Sequence, residues 1–161
     1  MVVMKEIENY RSQFMRAVCT SDEIANLLAL GGDEPVLTGQ DLKYTRVFPY
    51  PYIPDVTKHA ECYICFEVDV ASVQSDTIKT LLLRVYVLID RSMMRLNGGG
   101  IRPDRIIAEI DRLLNGSTEF GLGHVELVGL ESFVPVDGFY GRQIRYRVQD
   151  YNRSVCETEW L

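Results

Sequence analysis

Residues 78–90, IKTLLLRVYVLID, constrain the fold more than any other stretch. Leu81, Leu83, Val85, Val87 and Ile89 alternate onto one side of an extended chain, as strand geometry requires. The other side carries Leu82, Tyr86 and Leu88 beside Arg84, so it is also partly apolar. A strand with two apolar sides belongs near the centre of a sheet or under cover on both faces. Residues 61–70, ECYICFEVDV, supply a companion: Cys62, Ile64, Phe66, Val68 and Val70 share one face, and Tyr63, Cys65, Glu67 and Asp69 the other. Residues 124–134 and 141–150 read as two more strands around a turn at Asp137-Gly138.

Helical spacing appears in three places. Ile7, Tyr10, Phe14 and Val18 mark a first helix over 3–18. Ser21 is placed to cap a second, DEIANLLAL, which has acids in its first turn where the helix dipole favours them and ends at Gly31-Gly32. Pro103 opens a third helix, in which Ile106, Ile107, Ile110, Leu113 and Leu114 form a stripe that closes at Asn115-Gly116. Residues 33–60 read as an extended loop, because FPYPYIPD (48–55) sets three prolines among aromatic rings. The expected whole is one α+β domain over 1–161: N-terminal helices to 32, the proline-aromatic loop to 60, and a core over 61–150. That core is a mainly antiparallel sheet of about four strands with helices on one face, and a tail over 151–161 follows it.

Composition narrows the function. The chain has 161 residues, a net charge of −6 and a pI near 4.9, with its 17 basic residues scattered. That is a poor basis for gripping nucleic acid. No stretch reaches the ~18 apolar residues of a membrane helix, and MVVMKEIENY has no apolar signal core, so residence in the cytoplasm is expected. Cys19, Cys62, Cys65 and Cys156 do not form a secreted disulfide framework.

Each candidate chemistry meets an objection. Gly98-Gly99-Gly100 precedes a helix as phosphate loops do, yet neither Lys nor Ser/Thr follows Gly100, and Pro103 removes an amide. Cys62-x-x-Cys65 lies within a strand, where residues three apart diverge; His59, with Cys19, Cys156 or His124, would be needed to complete a metal set. His59 and His124 are the only histidines available to a Cys–His pair. Asp55, Glu67, Asp69, Asp76 and Asp90 could hold the Mg²⁺ of a nuclease, most suggestively Asp69 and Asp90 at the ends of neighbouring strands, yet acids at strand ends are also the commonest kind of solvated edge. The reading that survives needs no catalytic residue, cofactor or metal. Rings in FPYPYIPD and at Phe139, Tyr140, Tyr146, Tyr151 and Trp160 suit either a protein interface or the chain's own core.

The succession FPYPYIPD, CYICFEVDV, TIKTLLLRVYVLID, GGGIRPDRIIAEIDRLLNGS, FGLGHVELVGLESF and FYGRQIRYRVQDYN resembles the tail-terminator (tail-completion) neck proteins of tailed bacteriophages. The resemblance covers about residues 45–152 and rests on segment order and the R-x-D-R-I-x-x-E-I-D-x-L-L-N-G helix. It implies a structural, non-enzymatic protein of the virion, assembled in the host cytoplasm. Such proteins form a homo-oligomeric ring, usually a hexamer, on the tail tube (with a sheath if the tail contracts). They meet a head-side connector or stopper on the other rim, and DNA passes through the lumen. Another connector or stopper subunit is the alternative, and a metal-dependent nuclease the more distant one. The contact residues expected are Phe48, Tyr50 and Tyr52 in the loop; Val73, Gln74 and Asp76 at one strand turn; Gly98, Gly99, Gly100 and Arg102 at the glycine loop; and Arg142 and Trp160.

Overall fold

The computed structural model describes residues 5–29, 39–52, 61–75, 77–120 and 122–151. Its helices are α1 (Lys5–Cys19), α2 (Asp22–Leu28), α3 (Gly39–Leu42) and α4 (Arg102–Leu114). Its strands are β1 (Val47–Phe48), β2 (Cys62–Val73), β3 (Ile78–Asp90), β4 (Leu122–Phe133) and β5 (Phe139–Tyr151). The five strands form one sheet in the order β1-β2-β3-β5-β4, antiparallel except for β1 beside β2. This is the α+β layering the sequence implies, with one strand more than expected.

Local chemistry sets the helix ends. The Ser21 hydroxyl accepts the Ile24 amide at 3.2 Å, as an N-cap should, and Asp22 and Glu23 occupy the first turn of α2. Pro103 sits in the first turn of α4, where its missing N–H costs nothing. The Asn115 amide closes α4 onto Asp111 O at 2.8 Å, and Gly116 then takes a φ of +77° that a side chain would resist.

Register assigns the faces. Ile64 pairs with Val87, Phe66 with Val85 and Val68 with Leu83, while Val85 pairs with Ile144 and Leu83 with Tyr146. These side chains point to one face and are covered by Phe14 and Val18 of α1, Ile24 and Leu28 of α2, and Ile106 and Ile110 of α4, all buried. The α4 stripe therefore packs on the sheet as its spacing implies, over β3 and β5. The opposite face holds a smaller cluster of Phe48, Tyr63, Cys65, Leu88 and Phe139, with Tyr52, Tyr86 and Phe133 packed against it.

Three expectations need correction. The stretch 33–60 is not one extended loop: α3 and β1 lie among its described residues, and β1 is held by long-range bonds such as the Ile64 amide on Arg46 O at 2.8 Å. Such a two-residue strand has no periodicity of its own to read. Strand β2 runs on to Val73, bending at a bulge between Val70 and Ser72. Asp69 and Asp90 do not meet: Asp69 lies opposite Leu82, eight residues before Asp90 in β3, which is ~27 Å of strand. Antiparallel pairing puts the last residues of β2 beside the first of β3, so acids late in both strands end up at opposite ends of the sheet.

Candidate assembly surfaces

The thiols divide as strand geometry requires. Cys62 lies in the main core and Cys65 in the cluster on the other face. Burial pushes Cys62 up to about 12 and Cys65 up to about 11, and it raises Cys19 as well. The reactive thiolate is thus disfavoured at all three. Ellman's reagent is expected to leave them untouched in the folded protein and to titrate them after denaturant is added; rapid native reaction at Cys62 or Cys65 would contradict this burial. No group of three or more His, Cys, Asp or Glu among the described residues is arranged to hold a metal ion. His59 and Asp55 lie outside those residues, and His124 is exposed with Nδ1 3.3 Å from Gly116 O.

The glycine loop is closed on itself. Arg95 and Ile101 form an antiparallel bridge, the Leu96 amide donates to Gly100 O at 3.3 Å, and the Gly99 amide donates to Leu96 O at 3.1 Å. The Arg102 amide is taken by Met94 O at 2.7 Å. Three of the amides that a phosphate cradle would turn outward are therefore spent inside the loop. Gly99 and Gly100 have φ of +90° and +79°, which is why glycine stands there. All three glycines remain exposed at the surface.

The other expected contact residues fall into distinct groups. Phe48 is buried, stacked on Tyr52 at a 4.1 Å centroid separation and 6° between planes, so its ring is used inside the chain. Tyr50 is 46% exposed beside it, and Tyr52 is half-buried. At the β2–β3 turn Val73 is 59% exposed, and Gln74 donates its amide to Ile78 O at 3.0 Å and its side chain to Thr80 Oγ1. Arg102 is an internal strut: Nε donates to Met93 O at 2.8 Å and Nη1 to Leu27 O, tying the start of α4 to the end of α2. Arg142 reaches Ser132 Oγ at 3.4 Å on the neighbouring strand. Asp76 and Trp160 lie outside the described residues.

Two surfaces escaped the sequence reading. One is the far half of the face without helices, a lattice of cross-strand ion pairs. Arg145 meets Glu131 and Arg147 meets Glu126, each at 2.7 Å, and Arg84 stands 3.6 Å from Asp69. The other is the outer edge of β4 beyond Val125, whose carbonyl accepts the Gly116 amide at 2.8 Å and whose amide donates to Ser117 O at 2.9 Å. Leu127, Val128 and Leu130 are 45%, 44% and 41% exposed, with Val134 at 65% just beyond the strand. Leu127 pairs with Tyr146 and Leu130 with Ile144, so both leucines point to the helix-bearing side. A one-residue bulge at Val128 makes this possible, since without it residues three apart would face opposite ways. Gly129 inside a strand-like run was the available signal for that bulge.

Comparison with known proteins places this architecture. A family model named YomW matches residues 7–148, and the chain belongs to that family. The name is that of a phage-derived protein, so the chain is phage-related. Among curated proteins none matches the sequence. No described helix is long and apolar enough to cross a membrane.

Proposed function

We propose that this YomW-family protein is a structural subunit of a phage neck, building a ring that ends the tail tube and joins it to the head, with DNA passing through the lumen. The observation that carries the reading is the distribution of cover over the sheet. Among the described residues helices cover one face only, while the ion-paired far half of the second face, the outer edge of β4 and two loop ends at Val73 and Gly98–Gly100 stay open. A subunit that touches copies of itself and two further partners needs several such surfaces at once. The phage-related family and the order of segments from FPYPYIPD to FYGRQIRYRVQDYN support the same role. An acidic chain is also suited to a channel, because a wall of like charge lets DNA slide. The nuclease alternative loses its best pair, since Asp69 and Asp90 are held far apart.

The test is assembly. Purified protein mixed with tail-tube protein is expected to form a ring, six copies by analogy with tail terminators, on one end of the tube in negative-stain images. Binding to head-side connectors but never to tubes would move the assignment to a stopper. A protein that joins neither component would overturn the neck reading.

A further inference from the structure

The edge strand β4 carries the sequence Glu126-Leu127-Val128-Gly129-Leu130-Glu131, which reads almost identically in both directions. We propose that β4 pairs antiparallel with β4 of a second copy, about a twofold axis at Val128–Gly129. In that register Leu127 faces Leu130 of the other copy, twice, and Glu126 faces Glu131, twice. Facing residues in an antiparallel ladder must point to the same side of the sheet. An unbroken strand would violate this, because Leu127 and Leu130 would lie on opposite faces. The bulge at Val128 removes the conflict: both leucines lie on the helix-bearing side, and both glutamates lie on the other with their arginines. The palindrome and the bulge share one centre.

The exposed chemistry fits a second copy. Leu127 and Leu130 are each more than two-fifths exposed although they sit beside the core residues Tyr146 and Ile144. Pairing would bury them against each other. The facing acids do not meet as bare charges. Glu126 brings Arg147 and Glu131 brings Arg145, each at 2.7 Å, so neutral pairs meet neutral pairs. A bulge ordinarily steers an edge away from stray strands. With the axis at the bulge, both copies bend at the same point, and residues 126–127 and 130–131 on either side keep a common register, short of the second register shift and of Val125, which Gly116 and Ser117 hold. A strand of other sequence gains no such match. The contact is isologous and closes at two copies, whereas a head-to-tail ring needs a different surface. The dimer therefore stands or falls independently of the neck role.

The experiment combines mass and cross-linking on the full chain. Light scattering is expected to give about 37 kDa, twice the 18.4 kDa chain. Leu127→Lys/Leu130→Lys should return it to the single-chain mass with unchanged circular dichroism, because neither side chain belongs to the buried core. Leu127→Cys/Leu130→Cys should form a covalent dimer on mild oxidation, while each single cysteine variant should not, because the axis sets residue 127 against residue 130 and not against itself. A wild-type chain that stays at 18.4 kDa at high concentration overturns the proposal, as does a dimer that survives the lysine pair. Single variants that cross-link as well as the double one would also overturn it. A larger assembly unaffected by the lysine pair would overturn it too while leaving the ring intact.

Discussion

Gly141→Val is expected to abolish the folded state, and Gly141→Ala to cost about 3 kcal/mol or more. Gly141 lies in β5 between Leu88 of β3 and Phe133 of β4. Its φ is not positive, so the demand for glycine is one of space. A Cβ there would stand 2.3 Å from Val87 O, 3.1 Å from Leu88 Cδ2 and 3.2 Å from Phe133 O. Two of these atoms are backbone carbonyls on different strands, and moving either one opens the ladder on its own side. The cost is large against a total stability of ~5–15 kcal/mol for a domain of ordinary size. Gly98→Ala is the control: nothing lies within 4 Å of its added Cβ and its φ is not in the left-handed region. Urea unfolding followed by circular dichroism should show Gly98→Ala within about 0.5 kcal/mol of wild type and Gly141→Ala far below it. Near-equal midpoints for all three would mean that β5 can shift away from β3 without loss.

The contrast between those two glycines shows what the sequence discloses. Both look like interruptions, and only the strand order separates them. Sequence reading fixed β3 at 78–90 and α4 to within a residue, because each carries many apolar positions at one period. It also sent Cys62 and Cys65 to opposite faces correctly, since that follows from alternation alone. It could not show that β5 inserts between β3 and β4, because this order depends on where the crossover through α4 delivers the chain. Everything resting on that order stayed hidden: the edge position of β4, the exposure of Leu127 and Leu130, and the ion pairs of Arg145 and Arg147. Phe48 was an expected contact residue and is packed, and Phe139, open between interface and core in the sequence, is packed beside it, because the second face needs rings to cover Tyr63 and Leu88. Among the described residues the open surfaces are therefore mostly aliphatic and ionic, and the exposed rings are Tyr44, Tyr50 and Tyr151.

Phe14→Ala is the second large effect, expected to cost about 3–5 kcal/mol. Phe14 is fully buried where α1 crosses β2, with its ring edge-on to Phe66 at 4.2 Å and 63°. Polar ties fasten the same helix: Arg11 reaches Glu67 and Pro49 O, and Tyr10 donates to Asp150. The Arg11–Glu67 pair is about a quarter exposed on each side chain, so water screens it. Arg11→Ala should then cost about 1 kcal/mol or less. Phe14→Leu, which keeps most of the volume, should fall between the two at roughly 1.5 kcal/mol. The order Phe14→Ala, Phe14→Leu, Arg11→Ala in denaturant midpoints is what docking by apolar burial requires. If Arg11→Ala proved as costly as Phe14→Ala, the helix would be held chiefly by its charged clamp. Stability would then fall steeply with added salt, whereas burial of Phe14 against Phe66 predicts almost no salt dependence.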